Sequence, residues 1–242
     1  MSTFNPRAVF FDLDDTLYDY EGVNHDAVRH LGDRVEREIG IPAAEVVESY
    51  FRILREQKLQ TSSTAGYHNR TIRFQRLLEE RHLPLRHAVG LGEAYWDELF
   101  KLIHPFDGVP EALDALRARG LTLGICTNMT AIEQLRKLER LGLIDRFDLF
   151  VSSEEAGSEK PDPGIFLLTA KKAGCEPGEC LFIGDLLKTD INGALGAGMK
   201  VLWFQRDPAR RAEHPEIPSF ASYRDLDALC AGGQENEKYP LT

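Results

Sequence analysis

From Pro105 to Phe204 one pattern repeats: helical apolar spacing, then a glycine or polar turn, then a short apolar run. Residues 109–119 read as a helix stopped by Gly120, and 121–126 as a buried strand. A helix over 131–141 closed by Gly142 precedes a strand over 149–151. A helix over 163–173 with a Gly174 stop precedes a strand over 180–183, and a helix over 187–197 precedes a strand over 200–204. Such continuously apolar strands, each separated by a helix, predict a parallel sheet with right-handed crossovers and helices on both faces. Ala8-Val9-Phe10-Phe11 reads as a further strand of this sheet, buried on both sides. Ligands of such sheets bind beyond the carboxyl ends of the strands.

Residues 23–103 have a different texture, rich in Glu, Arg, Leu and Ala. Val28, Leu31 and Val35, then Val46, Tyr50, Ile53 and Leu54, then Phe74, Leu77 and Leu78, recur at helical spacing. Breaks fall at Gly40-Ile41-Pro42, across 61–66 and at Leu83-Pro84. The segment predicts four helices and no strand. It interrupts the sheet after its first strand, so an inserted all-helical cap over 19–104 is expected within a core of 1–18 and 105–242. A chain of 242 residues can bury such a core with a smaller appended unit. Residues 208–218 read as a charged, Pro-containing loop, and 232–242 as a frayed polar end.

The formal net charge is -10, which repels phosphate polymers and anionic lipid, so neither nucleic acid nor membrane is an expected partner. A small anionic substrate remains compatible, because local cations or a metal override the global field. Cys126, Cys175, Cys180 and Cys230 have neither zinc-site nor CxxC spacing. No basic-then-apolar leader precedes the first strand and no apolar run is long enough to span a bilayer, so a cytoplasmic monomer or homodimer is expected.

Polar chemistry collects at the predicted strand ends. Asp12-Leu13-Asp14-Asp15-Thr16 follows the first strand, and a strand would point Asp12 and Asp14 the same way. Read alone, this is an acidic turn. Thr127-Asn128 follows the second predicted strand and could cap the next helix. Lys160-Pro161-Asp162-Pro163 starts a helix, which explains Pro163 but says nothing specific of Lys160. Gly184-Asp185-Leu186-Leu187-Lys188-Thr189-Asp190 again puts acid at a strand end, where Asp185 could serve as a helix cap. Two acidic strand ends in one parallel sheet converge, and their hard oxygen ligands suit Mg²⁺.

As an ordered set, Asp-x-Asp-x-Thr, Thr-Asn, Lys-Pro and Gly-Asp-x4-Asp resemble the motifs of the haloacid dehalogenase-like hydrolase superfamily, from Ala8 to Trp203. The resemblance implies a Rossmann-like α/β core. In its terms Asp12 matches the nucleophile and Asp14 the general acid, later the base. Thr127, Asn128 and Lys160 match the phosphoryl-binding positions. Asp12, the backbone carbonyl of Asp14, and Asp185 match the Mg²⁺ ligands, with Asp190 as the supporting acid. Leu186 departs from the small polar residue frequent in relatives.

Dehalogenase and phosphonate-cleaving branches lack an acid at the Asp14 position, so its presence implies a phosphatase of small phosphate monoesters, a sugar phosphate or nucleoside monophosphate. A β-phosphoglucomutase-like phosphomutase, or a non-catalytic binding protein on the same fold, are the alternatives. The cap is loosely similar to N-acylneuraminate-9-phosphatase and pyrimidine nucleotidase relatives. Tyr18, Tyr20, His25, His68, Arg70, Arg73 and Trp96 are candidate substrate readers. The simpler readings are core packing for Trp96 and a solvated helix face for His68 and Arg73. Cys126 is expected to be an inert strand residue.

Overall fold

In a computed structural model of the protein, residues 6–61 and 65–226 are described, which leaves Cys230 and the polar segment 232–242 outside the described residues. The chain divides into two compact units, Met1–Asp19 with His104–Thr242, and Tyr20–Ile103.

The second unit is built on helices α1 (Tyr20–Ile39), α2 (Ala43–Thr61), α3 (Arg70–Glu80) and α4 (Ala88–Leu102). Gly40 ends α1 in the left-handed region, at φ +83°, and its N–H returns to the carbonyls of Val35 and Glu36. One apolar stripe of α1, including Val28, Leu31 and Val35, is buried. Arg73 is not on a solvated face. It is 2% exposed, and it donates to Gln57 Oε1 at 3.0 Å, Tyr50 Oη at 2.7 Å and the Tyr67 carbonyl at 2.8 Å. Neutral acceptors that satisfy its donors let the guanidinium be buried, which helical periodicity alone does not reveal.

The first unit carries strands β1 (Ala8–Phe11), β2 (Thr122–Thr127), β3 (Leu149–Ser152), β4 (Cys180–Gly184), β5 (Lys200–Phe204) and β6 (Ser219–Phe220). All pair in parallel in the order β3-β2-β1-β4-β5-β6. The helices beside them are α5 (Val109–Ala118), α6 (Ala131–Arg140), α7 (Ser153–Ala156), α8 (Pro163–Lys172), α9 (Asn192–Gly196) and α10 (Pro208–Glu213). Strands β1 to β3 step one way across the sheet and β4 to β6 the other. Right-handed crossovers therefore place α5 and α6 on one face, α8 and α9 on the opposite one. Ala8 and Phe10 pack with Cys180, Phe182, Phe166 and Ala194 in the core of the α8–α9 face. Val9 and Phe11, pointing the other way, are equally buried, which accounts for the unbroken apolar run.

Two local readings change. Residues 187–191 form a widened π turn before α9, with the Ile191 N–H reaching back to the Leu186 carbonyl at 3.3 Å. Residues 208–213 are helical, with Asp207 accepting from the Ala209 N–H at 2.9 Å as the cap and Pro208 at the first turn. The two-residue β6 is too short for any periodicity to signal.

Candidate active site

The strand order reverses between β1 and β4, and each strand delivers an acid just past its end. Asp12 follows β1, its N–H still bonded to the Ile183 carbonyl at 2.9 Å. Asp185 follows β4, where its carbonyl accepts from the Trp203 indole at 2.7 Å and its carboxylate from Thr16 Oγ1 at 3.1 Å. The widened turn brings Asp190 back beneath Gly184, so close that a Cβ on Gly184 would lie 2.6 Å from the Asp190 side chain. Asp190 Oδ2 accepts from the Leu186 N–H at 3.0 Å. Leu186 thus serves through its backbone while the residue is 55% exposed, which makes an apolar side chain tolerable there.

Lys160 enters from the loop before α8. Its ammonium lies 2.6 Å from Asp12 Oδ1 and 2.7 Å from Asp190 Oδ1, and the residue is 5% exposed. Asn128, just past β2, fixes this loop: it accepts from the Lys160 N–H at 2.8 Å and donates to the Lys160 carbonyl at 3.2 Å. Thr127 is buried at the end of β2 and its Oγ1 accepts from Gln134 Nε2 at 2.7 Å. Asp14 stands on the loop after β1, in which Asp15 takes a positive φ of 59°. It is bonded by Tyr18 Oη at 2.6 Å and by Lys137 Nζ at 2.8 Å to each oxygen.

Carboxylate oxygens of Asp12, Asp185 and Asp190 lie within 4.8 Å of one another. Burial, with Asp190 and Asp14 nearby, pushes the Asp12 carboxyl above the ordinary range despite Lys160. Burial, then Asp190, Asp12 and Asp15, does the same to Asp185. Burial alone would lower the Lys160 ammonium, but Asp12 and Asp190 outweigh it and raise its pKa. Three carboxylates around one ammonium carry a formal surplus of two negative charges, and their oxygens are the hard donors that Mg²⁺ takes. The residues fit such an ion.

Residues 6–198 match the haloacid dehalogenase-like hydrolase family. The chain belongs to the haloacid dehalogenase-like hydrolases. It is 36% identical to ribulose-1,5-bisphosphate 5-phosphatase of Halopiger xanaduensis, over 86% of this chain and 88% of the relative. It is 35% identical to glyceraldehyde 3-phosphate phosphatase of Methanothermobacter thermautotrophicus, over 81% and 84%. A haloacid dehalogenase-like phosphatase structure from Thermococcus onnurineus superposes with a TM-score of 0.71 at 26% identity, covering 95% of this chain and all of that one. With these relatives, this hydrolase is a phosphoric monoester hydrolase.

Of the expected site residues in this hydrolase, Asp12, Lys160, Asp185 and Asp190 form one cluster. Asp14, Thr127 and Asn128 are linked through Gln134, whose Nε2 lies 3.4 Å from Asp14 Oδ2 and 3.2 Å from the Asn128 carbonyl. Gln134 and Lys137 were not expected. Their signal is that they share the inward stripe of α6 with Leu138 and Leu141, whereas Ile132 is 55% exposed. Tyr18 is fully buried, its hydroxyl spent on Asp14. Within the helical unit, Arg70 reaches Tyr20 Oη at 2.5 Å and lies 4.7 Å from the Trp96 ring centre. Trp96, expected in the core, is half-buried and stacks on Phe100. His68, half-buried, lies in a 3₁₀ turn, and the exposed His25 stacks on Phe51 at 4.2 Å. Cys126 is buried, and burial pushes its thiol up to about 12. Among the described residues, no helix is long and apolar enough to cross a membrane.

Proposed function

We propose that the chain is a Mg²⁺-dependent phosphatase of small sugar-phosphate or nucleoside-monophosphate esters that works through an aspartyl-phosphate at Asp12. One observation carries this reading: a buried carboxylate, Asp12, held 2.6 Å from a buried ammonium and grouped with two further acids at the sheet's switch point. The named activities of the similar proteins favour phosphorylated sugars within that class.

Asp12 attacks phosphorus through a carboxylate oxygen, and the ester oxygen leaves with the bonding pair. Asp14, entering the step as the carboxylic acid, gives its proton to that oxygen, and the carboxylate this leaves, the form that Lys137 and Tyr18 hold, then takes a proton from the water that opens the aspartyl-phosphate. Positioned proton transfer of this kind contributes roughly 10²–10⁴-fold. Thr127 and the Lys160 ammonium bind the phosphoryl oxygens, and Lys160 offsets the repulsion between the attacking carboxylate and the phosphate dianion. Asp12, Asp185 and the Asp14 carbonyl would hold Mg²⁺, with Asp190 keeping Lys160 and the turn in place. The bound ion supplies a Lewis acid that withdraws charge from the phosphoryl group.

The test is inorganic phosphate release from a panel of sugar phosphates and nucleotides with Mg²⁺, comparing wild type with Asp12→Asn. Turnover of one ester class, abolished in a variant of unchanged circular dichroism, is expected. Turnover retained by Asp12→Asn removes the covalent route, and isomerisation of a sugar monophosphate without phosphate release replaces the phosphatase reading by a mutase.

A further inference from the structure

Asp14 is gripped from behind by α6. Lys137 sets its ammonium 2.8 Å from both Asp14 oxygens, with its own side chain 0% exposed while Asp14 keeps 23%. One helical turn earlier, Gln134 donates to Thr127 Oγ1 at 2.7 Å and lies 3.4 Å from Asp14 Oδ2. Residues three apart share a helix face, so one stripe of α6 joins two groups from separate strand ends. The N-terminus of this helix is itself anchored, the Ala131 N–H donating to Glu154 Oε2 at 2.9 Å.

Burying an ammonium costs several kcal/mol unless its partners repay it, and lysine is among the residues least often buried. Yet α6 buries Lys137 and Gln134 while Ile132 of the same helix is 55% exposed. A helix chosen for core packing would reverse that arrangement. The Asp14 carboxylate offers about four lone-pair sites. Lys137 contacts both oxygens, Tyr18 donates to Oδ1, and Gln134 lies on the Oδ2 side.

We propose that Lys137 is a positioning residue for Asp14: the ion pair, tied through Gln134 to Thr127, sets where the acid–base carboxylate stands relative to the phosphoryl site. This rests on the reading of Asp14 as the acid–base group. Lys137 touches Asp14 and acts through it. A displacement of about 1 Å at such a group costs on the order of 10²-fold in rate.

The experiment compares wild type, Asp14→Asn, Lys137→Met, Lys137→Arg and the Asp14→Asn/Lys137→Met double variant. The substrates are a sugar phosphate that wild type turns over and p-nitrophenyl phosphate. Lys137→Met is expected to lower kcat on the sugar phosphate by about 10²-fold with KM little changed. Release of p-nitrophenolate in the first turnover is expected to slow far less, because that leaving group needs no proton. In the Asp14→Asn background Lys137→Met should cost nothing further, and Lys137→Arg should recover part of the loss. Equal losses in both backgrounds, or a raised KM at unchanged kcat, overturn the proposal. Slow Asp14→Asn beside a fully active Lys137→Met overturns the role of Lys137 alone. An Asp14→Asn variant with wild-type kcat overturns the reading of Asp14 and this proposal with it. If Lys137→Met does not fold, the double variant, which replaces the charge pair by neutral groups, carries the test. Activity equal to Asp14→Asn supports positioning, and a further drop refutes it.

Discussion

Replacing Lys160 by methionine removes one cation from between two buried carboxylates. At an effective dielectric constant of about 20, Coulomb's law gives roughly 6 kcal/mol for each contact near 2.7 Å. Removing the ammonium also removes its own desolvation cost, and breaking one side of a buried pair leaves a net loss of about 3–5 kcal/mol. For a chain of this size each kcal/mol moves Tm by about 2–4 °C, so Lys160→Met should unfold roughly 6–20 °C below wild type in EDTA. The pH dependence has a definite sign. Asp12 and Asp185 already have folded pKa values raised above the ordinary carboxylate value of 3.8. Loss of Lys160 raises that of Asp12 further. A group raised in this way contributes stability that is complete below the unfolded value and lost as pH climbs through the folded one. The gap between variant and wild type should therefore stay level from pH 4 to about 7, the folded value to which Asp12 is pushed in wild type, and widen from there towards pH 9. Calorimetric scans across that range, with EDTA and again with Mg²⁺, make the measurement, and Mg²⁺ should narrow the gap. A shift under about 2 °C in EDTA, or a gap that widens towards acid, would refute the placement of Lys160 as the buried counter-charge.

Other expectations follow from the same site. EDTA should abolish phosphate release and Mg²⁺ restore it, with isothermal calorimetry showing binding that Asp185→Asn weakens. Gly184→Ala should push on Asp190 and weaken Mg²⁺ by about 10–100-fold, the usual effect of disturbing groups that orient metal ligands, read by the same titration. Native protein at pH 8 should leave Cys126 unmodified by iodoacetamide while the half-buried Cys175 reacts, as peptide mass spectrometry will show.

The sheet was legible because strands buried on both faces write themselves as unbroken apolar runs, and acids just past such runs, as at Asp12 and Asp185, stand out against them. Lys160 was legible only through the resemblance. Before its partners are known, a lysine ahead of a helix looks like any exposed one. Lys137 and Gln134 were hidden by a related ambiguity, since polar residues on an amphipathic helix are taken as its wet side unless the opposite stripe is examined. Here the clue in the sequence is that Gln134 and Lys137 fall on the same helical stripe as Leu138 and Leu141. The buried Arg73 was hidden because its acceptors, Gln57, Tyr50 and the Tyr67 carbonyl, are neutral groups with no charge signature. The turn at 187–191 carries helical periodicity but widens as Asp190 folds back on the Leu186 N–H, a preference of one side chain that spacing does not record.

Tyr223 donates its hydroxyl to the Thr16 carbonyl at 2.9 Å, across 207 positions of sequence and from beyond the stretch matched to the family. A ribosome releases residue 16 long before residue 223. Until then the loop that follows β1 has neither β4 to pair with nor this phenol to brace it, and the helical unit has time to fold in the interval. The acids of the site therefore stay apart until residue 190 has emerged, and the brace on the loop between them comes later still, with Tyr223.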